Sequence, residues 1–149
     1  MKTIISKLAK LSLLLSLTII SCSKEDKVLE HNTRLLIEKP WSFEKYGLDE
    51  NNNGTIEETE NSMLPCEADD TYAFYANGSG YYEGGSIPCS MGETTLINFN
   101  WRFENNCTEL AVFAAPEKIR QLDEDILEVY YIDVNSQGEP VKFIRRFRH

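Results

Sequence analysis

Hydrophobic and polar residues alternate along much of the second half of the chain. In residues 96–103, LINFNWRF, every second side chain is Ile, Phe, Trp or Phe, and the positions between them are Asn, Asn and Arg. This period of two is typical of a strand with one buried face. Residues 141–148 alternate in the same way, and residues 127–134 form a strand-like run between polar segments. The pattern predicts three strands here.

Shorter strands and turns fill the middle of the chain. Residues 72–76 lead into Asn77-Gly78, a strong hairpin signal, and residues 80–82 return from it. Residues 110–114 follow a second turn, and residues 34–46 carry one or two further strands interrupted by a proline. No stretch of twelve residues shows helical periodicity, although residues 57–64 could form one or two turns. We therefore predict an all-β domain of seven to eight antiparallel strands, either a small meander barrel or a β-sandwich.

The first 21 residues have the composition of an export signal. Three lysines precede an apolar stretch, residues 11–20, which is too short to cross a membrane as a stable helix. The segment ends in Ile19-Ile20-Ser21-Cys22, which resembles the bacterial lipobox. In lipoproteins the signal is removed before the cysteine, which then carries acyl chains such as palmitate. The resemblance implies a signal peptide over residues 1–21 and a lipidated Cys22; an ordinary signal peptide is the alternative.

The residues after Cys22 bear on where the protein is located. No Asp follows the cysteine, so nothing resembles an inner-membrane retention signal. Lys24-Glu25-Asp26 resembles the surface-export signal of Bacteroidota lipoproteins, which implies an outer-membrane anchor and exposure at the cell surface. A solvated charged tether is the alternative. We predict a lipidated cysteine and tether over residues 22–32 and a single domain over residues 33–149.

The charge of the chain excludes one class of partner. The formal net charge is −9, and it becomes more negative without residues 1–21, which contain three lysines and no acidic residue. Binding to nucleic acid needs a basic face. We therefore expect no nucleic-acid partner.

An acidic segment, DENNNGTIEETE at residues 49–60, matches the twelve-residue pattern of a calcium-binding loop. Calcium takes six to eight hard oxygen ligands, and the glycine in the pattern permits a sharp turn. The alternative is a turn without metal, because Asn, Asp and Gly favour turns by themselves. Strand-like residues precede the segment, so a paired EF-hand is not expected. The candidate ligands are Asp49, Asn51, Asn53, Thr55, Glu57 and Glu60.

Three cysteines remain after Cys22. Cys66 and Cys89 both follow prolines in loops that flank the first hairpin, and we predict a disulfide between them. Export permits disulfide formation. Cys107 lies in a turn-like run and is predicted to be free. The spacing of the cysteines, with no CxxC, does not suggest zinc.

Residues 33–149 resemble the lipocalin-like domain of Bacteroidota lipoproteins. The resemblance rests on Lys39-Pro40-Trp41, the acidic loop, the two cysteines around DDTYAFYANGSG, the WRF strand and an Arg-rich last strand. In lipocalins an Arg of the last strand packs over the first Trp, a role that Arg145 or Arg146 could fill. The resemblance implies a barrel whose mouth binds a ligand. The residues predicted to line that site are Trp41, Phe74, Phe99 and Trp101, and six tyrosines could also line it: Tyr72, Tyr75, Tyr81, Tyr82, Tyr130 and Tyr131.

Three functional hypotheses follow. The first is a non-catalytic binding module for a small apolar or amphipathic ligand, or for a partner protein. The second is a structural or interaction lipoprotein with a filled barrel and a calcium-ordered loop. The third, an enzyme, is not expected, because the domain offers no nucleophile motif and no histidine placed as a base.

Overall fold

The computed structural model describes residues 24–90 and 96–149. This part of the chain forms a helix, a single 3₁₀ turn at Pro65–Glu67 and eight strands. The elements are α1 (Lys24–Ile37), β1 (Trp41–Leu48), β2 (Thr71–Phe74), β3 (Ser79–Glu83), β4 (Leu96–Glu104), β5 (Glu109–Val112), β6 (Ala115–Leu122), β7 (Ile126–Val134) and β8 (Pro140–Arg148).

The strands form a closed barrel in which each strand pairs with its sequence neighbour and β8 pairs with β1. All pairs are antiparallel. The closing pair runs from Ser42 opposite Arg148 to Leu48 opposite Phe143, with one bulge after Phe43. This up-and-down barrel confirms the predicted all-β meander barrel and excludes the sandwich.

The alternation seen in the sequence sets the barrel interior. The inward-facing residues of the strands form one aromatic and aliphatic core, which includes Trp41, Phe43, Phe74, Phe99, Trp101, Leu110, Leu127, Val129 and Phe147. Burial of large apolar side chains at about 25 cal/mol per Å² is the main stabilising contribution in such a domain.

The two ends of the barrel differ. The end of the barrel that carries the start of β1 and the turns after β2, β4 and β6 is called the closed end. The opposite end, which carries the connections after β1, β3, β5 and β7, is called the open end. Helix α1 packs at the closed end, where Leu35 and Leu36 are buried and His31 lies near the β6–β7 turn. The open end has no helix of comparable length in the described residues.

The helix was not predicted. Residues 24–32 were expected to be a polar tether, but they form most of α1. Only the last turn of the helix is buried, and Val28 and Leu29 remain 45% exposed. The sequence therefore shows little of the hydrophobic periodicity that predicts an amphipathic helix. Acidic residues in its first turn suit the positive end of the helix dipole. This helix is not long and apolar enough to span a bilayer.

Two further predictions about local structure were wrong. Residues 57–64 form turns rather than a short helix, and the region expected to begin with a strand at residue 34 is helical as far as Ile37. Strand β6 was not predicted at all. It begins beside Pro116 and contains Glu117, Lys118, Arg120 and Gln121, so little of it looks buried.

Trp41 joins the helix to the barrel. Its side chain is fully buried, and its indole Nε1–H donates a hydrogen bond of 2.9 Å to the carbonyl oxygen of Leu36. The ring of His149 stacks on it at 3.6 Å between centroids. The predicted packing of Arg145 or Arg146 over Trp41 is therefore wrong: the C-terminal imidazole takes that place.

Replacing Trp41 with Phe removes the donor to the buried Leu36 carbonyl and shortens the side chain. We expect the free energy of unfolding to fall by roughly 2–4 kcal/mol, from the unsatisfied carbonyl and the space left behind. Denaturant unfolding of the purified protein, followed by far-UV circular dichroism, measures the change. His149→Ala removes the stacking partner and its contact with the Pro40 carbonyl oxygen, but it keeps the Trp41–Leu36 hydrogen bond and should cost less. A Trp41→Phe protein as stable as wild type would contradict this role.

Candidate functional site at the open end of the barrel

The four residues predicted to bind ligand do not line a common cavity in the structure. Trp41, Phe99 and Trp101 pack within the core, and Phe74 alone of the four lines a cavity. Trp101 is held further by its indole N–H, which donates to the carbonyl oxygens of Tyr75 and Ser79. Three of the four predicted aromatic residues therefore fill the barrel core, and Phe74 also lines the inner cavity.

An inner cavity of about 70 Å³ lies in the barrel interior. Its walls are largely hydrocarbon, with one ion pair. The lining residues are Tyr72, Phe74, Leu110, Val112, Phe113, Glu117, Leu127, Val129, Arg145 and Phe147.

An outer pocket of about 270 Å³ adjoins this cavity, since Tyr72 and Arg145 line both. It lies beneath the β1–β2 connection, which contributes Glu67. Its other walls are Phe43, Tyr46, Tyr72, Tyr131 and Arg145. The two spaces form one candidate site, with the outer pocket as its more open part.

Arg145 occupies the junction of the two spaces. Its register on β8, between inward-facing Phe143 and Phe147, directs its side chain into the barrel. The guanidinium pairs with Glu117 of β6 and lies 5.9 Å from the ring centroid of Tyr131. Its Nε atom is buried and has no hydrogen-bond acceptor among the described residues.

Burial lowers the pKa of Arg145, while neighbouring Tyr72 and Tyr46 act in the opposite direction. An arginine nevertheless remains charged in a protein at any ordinary pH. A buried N–H without an acceptor costs about 1–3 kcal/mol. The structure therefore holds a strong, buried donor that has no acceptor among the described residues, on a side chain that lines both spaces.

Three tyrosines surround Arg145. The hydroxyls of Tyr46 and Tyr131 lie 3.2 Å apart, within hydrogen-bond distance. Burial, and then the bond to Tyr46, raises the pKa of Tyr131, and burial raises the pKa of Tyr72. Tyr72 and Tyr131 are therefore neutral at physiological pH, and the hydroxyls of all three tyrosines can donate or accept a hydrogen bond.

Phe113 lies at the rim of the inner cavity. It is the first residue of the two-residue β5–β6 turn, with a φ of 54°, and it is 56% exposed. Turns of this shape favour Asn and Gly, and a bulky aromatic residue in left-handed backbone is strained. Its ring packs 5.2 Å from Phe99 and also lines the cavity. Phe113 is therefore a partly exposed wall of the inner cavity, in a backbone conformation that is unfavourable for its residue type.

The acidic loop is separate from this site. After Asp49 the chain folds back outside the barrel, where Asn61 bridges to Gly47 and Lys45 bonds to the carbonyl oxygen of Ile56. Ile56 is buried there, as its apolar type predicts.

Side-chain oxygens hold the loop in shape. Asp49 accepts the backbone N–H of Gly54, and Asn51 and Asn53 each accept the N–H two residues ahead. The carboxylate of Glu60 accepts three backbone N–H bonds, from residues 50, 51 and 57, at 3.0–3.3 Å. Glu57 accepts the side-chain amides of Asn51 and Asn53. Within residues 24–90 and 96–149 no three His, Cys, Asp or Glu side chains gather as a metal site.

The disulfide between Cys66 and Cys89 is confirmed, with Cα atoms 5.3 Å apart. It joins the β1–β2 connection to the connection after β3, both at the open end. Cys107 is free, as predicted, and partial burial raises the pKa of its thiol. Cys22 and the signal peptide lie outside the described residues.

No family model matches the sequence. No curated protein matches it either. Among solved structures, the chain is similar to a deswapped triple mutant of bovine odorant-binding protein, with 16% identity, 74% of this chain and 72% of that chain covered, and a TM-score of 0.41.

Two related structures are also similar. Bovine odorant-binding protein in complex with its natural ligand shows 16% identity, 74% and 68% coverage and a TM-score of 0.40. Its complex with a selenium-containing odorant shows 15% identity, 78% and 71% coverage and a TM-score of 0.40.

The Arg145–Glu117 pair can be tested for its structural cost. Glu117→Gln leaves the guanidinium partly buried without a counter-charge, so we expect a loss of roughly 1–3 kcal/mol in the free energy of unfolding. This is less than for a fully buried pair because 35% of the Arg145 side chain is exposed. Glu124→Gln, an exposed change of equal charge, should alter stability by less than about 0.5 kcal/mol. Equal effects of the two changes in urea unfolding would contradict the pairing.

Proposed function

We propose that this protein is a lipid-anchored, non-catalytic binding protein whose open end takes a small amphipathic molecule. The proposed ligand carries a neutral hydrogen-bond-accepting head group and a short apolar part. The observation that carries this proposal is the side chain of Arg145, which lines both the inner and the outer space and whose buried Nε–H lacks an acceptor among the described residues.

The need for an acceptor follows from the energetics of buried polar groups. Native structures satisfy the great majority of such donors with protein or ordered partners. A ligand carbonyl, ether or hydroxyl oxygen at the junction would accept the Nε–H bond. The phenols of Tyr46, Tyr72 and Tyr131 surround the same point and supply further hydrogen bonds.

The preference for a neutral head group follows from the local charge. Glu117 already balances the charge of Arg145, and Glu67 adds a second carboxylate to the outer pocket. An anionic head group would be repelled by these two negative charges and attracted by only one positive charge. A neutral acceptor satisfies the Nε–H without this repulsion.

The size of the ligand follows from the volumes. Small-molecule pockets usually have about 300–1,000 Å³. The outer pocket has about 270 Å³ and the inner cavity about 70 Å³. An empty cavity of about 150 Å³ can hold benzene. The inner cavity is smaller, so a short alkyl chain suits it better than a ring.

A second candidate function is supported by the packing of the closed half. There the aromatic core leaves no room for a ligand at Trp41, Phe99 and Trp101. In this alternative the barrel is a filled scaffold that presents its loops to a partner protein. The two functions differ in whether the open end binds small molecules saturably.

Three isosteric probes test the proposal: 2-octanone, with a neutral acceptor; 2-methyl-1-octene, with none; and octanoate, with an anionic head. We expect the ketone to bind at least about tenfold more tightly than the alkene, because a hydrogen bond to a charged group contributes about 1.5–3 kcal/mol. The ketone should also bind more tightly than octanoate. Isothermal titration with the purified protein measures these affinities.

The matched control for these titrations uses two arginines. Arg145→Met should abolish the preference for the ketone, whereas Arg102→Met, an exposed arginine of β4, should leave it unchanged. Failure of all three probes to bind would favour the filled-barrel alternative. A preference for octanoate would overturn the assignment of a neutral head group.

We propose that Cys22 carries the lipid and that the mature protein is attached to the bacterial outer membrane, with exposure at the cell surface. The lipobox-like Ile19-Ile20-Ser21-Cys22 and the charged Lys24-Glu25-Asp26 support this. Expression in bacteria with labelled palmitate should label the wild-type protein and leave Cys22→Ala unlabelled. Cys107→Ala should retain the label; a labelled Cys22→Ala protein would contradict the anchor.

A further inference from the structure

We propose that residues 49–60 form a weak calcium site in which the ammonium group of Lys142 serves as a resident counter-ion that calcium displaces. This site lies on the outer side of β1 and β8 and is separate from the ligand pockets. Its function does not depend on the ligand that the barrel binds.

The carboxylate of Asp49 carries the inference. Its side chain is fully buried at the end of β1. Oδ2 accepts the Gly54 N–H across the loop at 3.1 Å and the Lys142 ammonium at 2.8 Å. Oδ1 is also buried, and it has no donor among the described residues. Oδ2 is therefore held between the loop and β8, and the free Oδ1 is the kind of ligand that a hard cation seeks.

The rest of the loop supplies oxygens of the same type. The side-chain carbonyl oxygen of Asn51 accepts one backbone N–H and retains a second lone pair, whereas that of Asn53 accepts both the N–H and the hydroxyl of Thr55. Gly54 has a φ of 81°, the left-handed turn that lets the chain curl around a central point. Such oxygens suit calcium rather than zinc or another soft metal.

Glu60 keeps the loop in this shape. Its three backbone N–H bonds tie the end of the loop to its beginning, at Glu50 and Asn51. It is also almost fully buried. The loop therefore contains two buried carboxylates, of which only Asp49 is paired with a described cation. A second positive charge would be favourable here.

Lys142 explains why the site would be weak. Its side chain is 28% exposed, so its flexible stem can move the ammonium group into solvent. Calcium must displace this group before it gains the full charge of Asp49. Few charged ligands and a competing cation place the dissociation constant in the range of roughly 10⁻⁴–10⁻³ M found for extracellular modules.

Calcium titration of the purified protein tests the site through its melting temperature. We expect a saturable rise of roughly 4–8 °C at about 10 mM calcium, from ligand linkage in a domain of this size. Magnesium should give little, because it prefers a smaller octahedral shell and retains its waters. The amide resonance of Gly54 should shift along the same binding curve, since its acceptor is Asp49.

Two variants separate calcium binding from a simple turn. Lys142→Gln removes the competing ammonium: without calcium it should melt lower than wild type, and calcium should bind it at least about fivefold more tightly. Lys118→Gln, an exposed lysine of β6, is the matched control and should bind calcium as wild type does. Glu60→Gln should lose the response; circular dichroism verifies that this variant is folded.

Several results would overturn the proposal. One is the absence of any calcium-dependent shift in both wild type and Lys142→Gln at 10 mM, a concentration above the expected range. The proposal would also fail if folded Glu60→Gln kept the full calcium-dependent rise in melting temperature, or if magnesium raised it as much as calcium does. The same holds if Lys118→Gln bound calcium as much more tightly than wild type as Lys142→Gln does. The ketone titration of the barrel is independent, so failure of one proposal leaves the other testable.

Discussion

The fold depends on how the indole of Trp41 closes one end of the barrel. Its N–H holds the last turn of α1, its ring packs in the core, and the imidazole of His149 covers it. The beginning and the end of the domain therefore meet on one side chain. The pairing of β1 with β8 closes the barrel around its circumference, and the contacts of Trp41 close it at one end.

Closure at one end determines what the other end can do. The large aromatic residues fill the closed half, and the polar groups that line the inner cavity and the outer pocket are Arg145, its tyrosine neighbours and two glutamates. An arginine with a buried, unsatisfied Nε–H does not improve packing, and apolar residues of similar volume would often be at least as stable. Its presence among hydrocarbon walls is the kind of local cost that accompanies a binding site.

Much of the barrel was predictable because local signals agreed with the final structure. The alternating runs, the Asn77-Gly78 hairpin and the disulfide all appear as expected. The helix Lys24–Ile37 was missed because only one turn is buried, and Ala115–Leu122 because neither its polar composition nor the Phe113–Ala114 turn carries a usual signal. In the site, Tyr72 and Tyr131 were among the predicted candidates, whereas Tyr46 was not. The role of Arg145 was not predicted, because it depends on register across three strands.

The position of α1 has a consequence for how a ligand would arrive. The helix joins the closed end and begins at Lys24, so a lipid on Cys22 would attach the domain by its sealed pole. The mouth would then point toward the surrounding medium. Cargo would exchange with water and not with the acyl layer beneath. With this orientation, the site would bind molecules that are soluble enough to diffuse through water. It would not take up lipids directly from the membrane.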